Sequence, residues 1–442
     1  MLKTFRIGGV HPPENKLSAG KKIETIALPT QVAIMLAQNL GAPSVALVAK
    51  GDLVKVGTPI AKAGGFVSSN IHSPVSGKVA KIDEMIDASG YRRPTIIIDV
   101  EGDEWESSID RTETLVKECK MESEEIVKRV AEAGIVGLGG ATFPTQVKLS
   151  PPPGSKAEML LINAVECEPY LTSDHQLMME KPEQVLVGVS ILMKAIKVGK
   201  AVIGIENNKP DAIKLMSEMA KGYAGISVMP LKVQYPQGGE KQLIDAVMGR
   251  QVPSGALPIA VGAVVQNVGT AYAVYEAVQK GKPLVERVVT VTGKSVARPS
   301  NFLARMGTPL SMLIEAAGGL PADTSKVISG GPMMGKAITN LEMPVTKGCS
   351  GVLIMPSLES QRAKMQNCIR CAKCVSVCPM GLEPYLLMSA GEKSMWDRSE
   401  SERVMDCIEC GCCSFTCPSS RPLLDYIRVS KSKVGAIIRS RK

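Results

Sequence analysis

The chain has 442 residues, 45% of them hydrophobic and only 3% aromatic, and a formal net charge of +9. That length exceeds what one hydrophobic core serves and predicts three or four domains. No apolar run approaches the ~20 residues of a membrane span, and aromatics this few, with no stacking pattern in basic stretches, argue against nucleic-acid binding. The opening MLKTFRIGG carries no signal-peptide core, so the expectation is a soluble chain that stays in the cytosol.

Residues 1–105 read as the first unit. PSVALVAKGDLVKVGTPIAKAGGFVSSNIHSPVSGKVAKID alternates Val and Ile with Gly, Pro and Ser turns, the pattern of short strands in a compact β fold. Its G-D-x-V-x-x-G-x-P-I turn followed by I-H-S-P-V-S-G-K-V resembles the barrel-sandwich fold of biotinyl and lipoyl carrier domains. A carrier places a modifiable lysine between these halves. AKAGGFVSSN offers only Lys62, outside any carrier context, which leaves the unit a structural role. His11 and His72, two of only three histidines, read as hydrogen-bonded packing residues and not as ligands.

EGDEWESSIDRTETLVKECKMESEEIVKRVAEAG then opens a helical region, with Glu124, Glu125 and Lys128 on a solvated face. GIVGLGGATFPTQVK follows, with Gly134, Gly137, Gly139 and Gly140. Glycines this dense let the backbone approach a ligand and aim N–H groups at a phosphate or ring, although the spacing is not that of a dinucleotide G-x-G-x-x-G. The apolar strand MLLINAVECEPY ends in Asn163, Glu166 and Glu168, polar groups delivered at a strand's carboxyl end, where α/β folds bind ligands. VLVGVSILMKAIKVGKAVIGIENN reads as helix then strand and DAIKLMSEMAKGY as helix, so 106–285 alternates α and β. YPQGGEKQLIDAVMG sets Gly238, Gly239 and Glu240 at a helix start, and VVQNVGTAYAVYEAV passes from strand to helix through Gln266, Asn267 and Thr270.

From 286 to 350, RVVTVTGKSVARPSNFLARMGTPLSMLIEAAGGL gives two strands and a helix stopped by Gly318 and Gly319. SGGPMMGKAITN leads by a loop to the last unit, 351–442. There Cys368, Cys371, Cys374 and Cys378 precede Pro379, and Cys407, Cys410, Cys413 and Cys417 precede Pro418. This is the bacterial C-x2-C-x2-C-x3-C-P run written twice. In two-cluster ferredoxins the fourth cysteine of each run serves the other cluster. The expected [4Fe–4S] ligand sets are therefore Cys368, Cys371, Cys374 with Cys417, and Cys407, Cys410, Cys413 with Cys378. A zinc module also uses C-x2-C pairs, but it has no use for the third step or the trailing proline. Cys412 falls out of step and reads as a bystander, while Cys119, Cys167 and Cys349 read as small buried hydrophobes. The connector between the runs is long enough for a helix and a half. After Asp425 only basic charges remain, at Arg428, Lys431, Lys433, Arg439, Arg441 and Lys442, either a solvated tail or a docking surface for an anionic membrane or acidic carrier. Cysteines committed to clusters fit a reducing compartment.

GLGGATFPTQVK, NAVECEP, YPQGGE and VQNVGT occur in the order and about the spacing of the flavin- and NADH-binding subunit of respiratory complex I and its hydrogenase relatives. With the barrel-like start, GGVHPPENK, SGGPMMG at 329–335 and the doubled ferredoxin run, the whole chain resembles the RnfC family, the C subunits of Rnf complexes, which are ion-pumping ferredoxin:NAD+ oxidoreductases. The resemblance implies a multidomain α/β architecture. Its parts are a barrel-sandwich domain at 1–105, a Rossmann-like FMN- and NADH-binding domain at 106–285, a soluble-ligand-binding β-grasp domain at 286–350 and an α-helical ferredoxin-like domain with two [4Fe–4S] clusters at 351–442.

The resemblance also implies FMN in the glycine-lined crevice, approached by Gly137, Gly139 and Gly140, with Lys148 at its phosphate. Asn163, Asn267 and Thr270 would hold phosphate or ribityl groups, Phe143 would stack on the nicotinamide, and Glu168 and Glu240 would contact NADH. Glu166 and Gly238, in the same motifs, complete the candidate cofactor-binding set. Three positions depart from the complex I pattern: Leu138 stands for Arg, Val165 for Asp, and Gly239 for the first Glu of a G-E-E triplet. A nicotinamide exchanges two electrons as hydride and a cluster takes one, so a flavin has to stand between them. The implied path is NADH ⇌ FMN ⇌ two [4Fe–4S] clusters ⇌ partner, with no catalytic acid, base or nucleophile from the protein. Partners would be the other subunits, above all a ferredoxin-like cluster-carrying one, and ferredoxin indirectly, with peripheral attachment at the cytoplasmic membrane face. Alternatives are a microcompartment cobalamin reductase of the same architecture and a non-catalytic iron–sulfur scaffold, the latter motivated by Val165 and Gly239.

Overall fold

Four apolar strands alternate with helices through the middle of the chain: Met159–Asn163, Ala201–Glu206, Ile226–Leu231 and Ala263–Asn267. In the computed structural model, which describes residues 2–441, they form a parallel sheet whose spatial order, numbered along the chain, is 3-2-1-4. Parallel sheets carry crossover helices on their faces, so their strands are apolar on both sides; Ala201–Glu206 is buried at every position. Helices Pro182–Ala195 and Val268–Gln279 pack closely because Gly188 has no side chain: a Cβ there would collide with the Ala271 carbonyl oxygen. The winding reverses between the first and fourth strands, which opens a crevice at their carboxyl ends. Asn163 and Asn267 are register partners at that end.

Ahead of this unit lie two small sheets. Gln31–Met35, Arg92–Gly102, Ser76–Ile86 and Leu53–Val54 form one, and Val45–Ala46, Pro59–Lys62 and Ile71–His72 the other. Alternate residues point into the space between them, so Val32, Ile34, Ile96 and Ile98 are fully buried. His72 is buried too, but its Nδ1 has no partner. Burial, aided by the Lys347 cation, pushes its pKa down to about 3 and keeps it neutral. The expected hydrogen-bonded packing role therefore holds only as packing, and His11 is exposed.

The fourth sheet has six strands in the order Ile23–Thr25, Ser300–Arg305, Glu286–Thr292, Gly351–Pro356, Thr324–Ser329 and Lys336–Ile338. Two expected boundaries shift here. Gly351–Pro356 is an interior strand, parallel to Glu286–Thr292, so 351–356 belongs with this sheet and not with the cysteine-rich end. Ile23–Thr25 adds to the opposite edge, so residues 2–25 leave the barrel as a strap. Along it Lys3 pairs with Leu231 and Val10 with Tyr235, Gly9 N–H donates to Val377 O, and Lys16 Nζ donates to the carbonyls of Glu166, Glu168 and Leu171.

Helices Pro384–Glu392 and Trp396–Ser401 fill the connector between the cysteine runs. The basic end is not a solvated tail. Helix Leu423–Ser440 buries Leu423, Leu424, Ile427 and Val434, while Arg428 and Lys431 pair with Glu409 and Arg441 with Glu400. Those three cations are neutralised by their own chain, whereas Lys433 and Arg439 are exposed and form no ion pair among the described residues; Lys442 lies outside them. Among the described residues no helix is long and apolar enough to cross a membrane.

One buried lysine pins three units together. Lys347 Nζ donates to Asn70 O at 2.6 Å, Gly134 O at 2.7 Å and Ser69 Oγ at 3.3 Å. Burial lowers its pKa from 10.5 to about 7. The unfolded chain therefore binds more protons than the folded one between those values, and this residue's contribution to stability rises with pH across that window. Lys347→Met leaves two buried carbonyls unpaired, at about 1–3 kcal/mol each, and removes this pH dependence. Unfolding midpoints of wild type and variant at about pH 7 and about pH 9.5 are expected to diverge as pH rises; a constant gap would show that Lys347 is not the titrating group.

Candidate cofactor site

Helix Ser123–Glu132 stops where Gly134 adopts a left-handed φ of 66°. The chain then doubles back, Val136 bridging Pro144 and Gly137 N–H donating to Phe143 O at 2.9 Å. Leu138 N–H donates to Thr270 Oγ1 at 2.9 Å, and the Thr270 hydroxyl donates to Val136 O at 3.5 Å. Gly139 lies so close to Asn267 that a Cβ would stand 2.5 Å from its Nδ2, whereas Gly140 faces open space. The glycine loop is thus fastened to the start of helix Val268–Gln279. Asn267 caps that helix, its Oδ1 accepting from Gly269 N and Thr270 N. Its Nδ2 donates to Asp174 at 2.7 Å. Burial, with the Glu166 charge nearby, pushes the Asp174 carboxyl well up.

The other expected residues divide into those facing the crevice and those serving the fold. Asn163 Nδ2 donates to Gly238 O at 2.7 Å and so holds the 235–239 turn against the first strand. Lys148 Nζ meets Glu240 Oε1 at 2.6 Å and Val265 O at 3.1 Å; the two charges expected on separate ligands are paired with each other. Glu166 caps helix Ser173–Glu180, accepting from Asp174 N at 2.8 Å and His175 N at 3.1 Å. Glu168 reaches toward the six-stranded sheet, its oxygens accepting from Met334 N at 2.6 Å and Met333 N at 3.2 Å in the SGGPMMG turn. Burial raises its pKa to about 7. Phe143 is half-buried at the base of the glycine loop.

Three side-chain atoms at the loop and strand end are buried with no partner: Thr145 Oγ1, Gln146 Oε1 and Gln266 Nε2. Buried polar atoms are normally paired. A loop free of side chains at its tip, a nearby cation and unspent donors and acceptors fit a ligand carrying hydroxyls and a phosphate, as FMN does.

Cys378, from the first run, lines one recess with Cys407, Cys410 and Cys413 of the second, among Leu382, Leu387, Leu424 and Ile427. That donor set fits one [4Fe–4S] cluster. Cys374 and Cys417 pack against the same apolar core, and Cys368 and Cys371 stand exposed on an irregular loop.

Sequence reasoning missed the junction between crevice and recess. Tyr235 is buried; its hydroxyl donates to Cys410 O at 2.8 Å, and its backbone exchanges N–H and C=O with Val10 at 2.9 and 2.8 Å. Cys412 is no bystander: fully buried, it packs with Cys167 and Met333 around Tyr235, its thiol 3.9 Å from Tyr235 O. Cys167 is likewise placed, accepting from Gly238 N at 3.4 Å. Cys349 is buried as expected, while Cys119 and Cys167 are only half-buried. The available signal was the aromatic at the head of YPQGGE and the CGCC within the second run.

Comparison with known proteins bears on each part. Residues 3–103 match the RnfC barrel sandwich hybrid domain, 130–276 the Nuo51 FMN-binding domain, 288–337 the SLBB domain and 361–418 the 4Fe-4S dicluster domain. Over 98% of its length the chain is 45% identical to the C subunit of the proton-translocating ferredoxin:NAD(+) oxidoreductase complex of Clostridium ljungdahlii, covering 94% of that protein. It is 44% identical to the Na(+)-translocating counterpart of Acetobacterium woodii, over 98% of this chain and 97% of that one. It is 42% identical to the C subunit of the ion-translocating oxidoreductase complex of Rhodobacter capsulatus, over 87% and 75%.

Glu168→Ala strips two backbone N–H groups of their acceptor. Amide exchange at Met333 and Met334 is expected to quicken while the central sheet keeps its protection; unchanged exchange at both would remove Glu168 as the anchor of that turn.

Proposed function

The chain belongs to the RnfC family, the C subunits of ion-translocating ferredoxin:NAD(+) oxidoreductase complexes, and from that premise we propose that its NAD(H) site lies at the glycine-loop crevice, on the cytoplasmic face of such a complex. It is an electron-transfer subunit with an FMN-binding domain and a domain for two [4Fe–4S] clusters. FMN supplies the exchange between hydride and single electrons. The chain's own residues bind and orient. Gly137, Gly139 and Gly140 let the backbone approach, while Asn163, Asn267 and Thr270 fix the floor. Lys148 would meet the phosphate in place of Glu240, its present partner, which would leave that carboxylate for the nicotinamide nucleotide. Phe143 offers the stacking face. Glu168 acts indirectly, by holding the SGGPMMG turn, and Glu166 by capping a helix beneath the crevice.

The Tyr235 junction carries the reading. It joins the turn that closes the crevice to the backbone of Cys410, which makes the cluster of Cys378, Cys407, Cys410 and Cys413 the flavin's neighbour. The cluster of Cys368, Cys371, Cys374 and Cys417 then comes second and faces other subunits, a ferredoxin-like cluster carrier first among them. The 3-2-1-4 strand order supports a Rossmann-like description of the central unit. We read the six-stranded sheet with helix Leu310–Ala316 as the β-grasp domain, acting as a spacer. The unit boundaries best supported are 26–105, 106–285, 286–356 and 357–442, with residues 1–25 as the strap. The FMN-binding match removes the motive for a flavin-free scaffold, and near full-length identity to complex subunits favours them over a cobalamin reductase.

The test is an anaerobic NADH titration of the reconstituted chain, followed by absorbance and spin resonance. About eight irons per chain are expected, with bleaching of the flavin preceding cluster reduction. Iron without flavin, and no response to NADH even with added FMN, would sink the proposal. Gly139→Ala drives a methyl into Asn267 and is expected to lower bound FMN about tenfold or more at unchanged iron. Cys378→Ala should cost about four irons and the signal of the cluster held mainly by the second run; loss of the other cluster alone would overturn the crossed ligation.

A further inference from the structure

Behind the glycine loop lies a cavity of about 40 Å³, enclosed by helices Ser173–Glu180 and Val268–Gln279 and strand Glu286–Thr292. Leu138, Asp174, Gly269 and Arg287 form its inner wall, and the half-buried Tyr272 and Glu276 bring it toward the surface. At roughly 10–15 Å³ per water it has room for about three, enough to carry a proton between solvent and Asp174. On its other side Asp174 touches the crevice. Its Oδ2 accepts from Asn267 Nδ2 at 2.7 Å, and that same Nδ2 is the atom a Cβ on Gly139 would meet at 2.5 Å. One amide group therefore separates the carboxyl from the glycine loop. Burial, with the Glu166 charge beside it, raises the pKa of Asp174 to about 7, against the Asn267 hydrogen bond and the Arg287 and Lys209 cations. The remaining charges on the cavity wall, Glu276 and Glu286, are held by Lys282. Arg287 gives its donors to the carbonyls of Lys347, Leu138 and Val288, so Asp174 is the titrating group that sets whether this cation is opposed.

We propose that Asp174 is a positioning residue for the flavin phosphate: it takes up a proton from solvent when FMN binds, which leaves Arg287 unopposed behind the crevice, and releases that proton when FMN leaves. This rests on the FMN site proposed above and adds a protonation step to it. The phosphate brings a charge of about −1.5 to −2 at neutral pH to the far side of Asn267. A like charge nearby disfavours a carboxylate, so binding draws the Asp174 proton on. The neutral carboxyl still accepts from Asn267 and gains an O–H donor for the cavity, so the cap at the start of helix Val268–Gln279 is undisturbed. In the FMN-free protein Asp174 ionises as pH rises through about 7. Above that value each binding event has to return the proton, and affinity for FMN weakens as pH rises.

The test uses the full chain, loaded with both clusters and freed of FMN, and titrates FMN into it by calorimetry in two buffers of different ionisation enthalpy, which counts the protons taken up per FMN bound. Wild type is expected to take up about half a proton at about pH 7 and close to one at about pH 8.5. The phosphate has its own ionisation near pH 6, roughly, and Glu168 and Lys347 also titrate near neutrality, so the difference between wild type and Asp174→Asn is the quantity read. The amide keeps an acceptor for Asn267 and cannot ionise. That variant is expected to lose the uptake and to bind FMN about tenfold or more tightly than wild type at about pH 8.5, with little difference between them at about pH 6. Equal uptake in the two proteins, or dissociation constants that run parallel across this range, overturns the proposal. Should Asp174→Asn fail to fold, Glu168→Gln still has to show the wild-type uptake; its loss there would assign the proton to Glu168 and overturn the role of Asp174. If wild type binds no FMN at any pH, the flavin reading fails instead, and the two failures are separable.

Discussion

Tyr235 is where the molecule has no freedom left. Its backbone is paired with Val10 of the strap, its hydroxyl is committed to Cys410 O, and its ring fills the space among Cys167, Cys412 and Met333. Burial raises its pKa well above the ordinary value, so the phenol remains a neutral donor. Breaking any one of these contacts leaves a buried polar group unpaired, which costs more than the bond contributes when made. The strap tightens the same joint from outside: Gly8, at φ 73°, packs on the Cys378 backbone with a Cβ position only 2.6 Å from its carbonyl carbon. The glycine-loop crevice and the cysteine recess, built on separate cores, are thereby joined through one residue, as electron transfer between the flavin and cluster sites proposed above requires.

Buried charges elsewhere do the same registering work. Lys16 reaches three carbonyls beside the first strand of the central sheet, and burial lowers its pKa. Lys282 sits between Glu276 and Glu286, tying helix Val268–Gln279 to the six-stranded sheet. Arg287, fully enclosed, donates to Lys347 O and Leu138 O, and so reaches from that sheet to the glycine loop. Desolvation cancels much of what such groups gain by pairing. Their effect is to make one arrangement of the units far better than its neighbours, because a shift of an ångström or two strands an ion without partners. The glycine loop inherits its position from this frame.

Local chemistry made much of this legible. The alternation of strands and helices, the helix stop at Gly318, the passage from strand to helix through Asn267 and the helical connector all follow from patterns within a dozen residues. What escaped depends on partners far along the chain. Nothing near Gly351–Pro356 marks it as an interior strand, since its parallel partner lies about 60 residues earlier. The strap's partners lie 150 or more residues away. Lys148 and Glu240, each readable as a ligand contact, are 92 positions apart, and only the fold reveals that they neutralise one another. Arg428, Lys431 and Arg441 looked free because their counter-charges, Glu409 and Glu400, sit upstream in segments with their own apparent roles. Cys412 looked idle because ligand spacing is a property of one run and burial under Tyr235 is not.

Two cysteine runs of identical spacing would give two equivalent clusters if spacing alone decided their properties. A cluster's potential depends on hydrogen bonds to its sulfurs and on solvent exposure as well as on its type. The recess at Cys378 supplies apolar walls and backbone donors, with Leu382 N–H and Glu409 N–H each 3.4 Å from the sulfurs of Cys378 and Cys407. The loop at Cys368 supplies water and unpaired cations. One repeated motif is therefore given two environments by what surrounds it. Burial joins the inner recess to the crevice through Tyr235, while Cys368 and Cys371 of the outer run stand exposed. On the path proposed above, the order of the two clusters follows from the packing around the cysteines and not from the cysteines themselves.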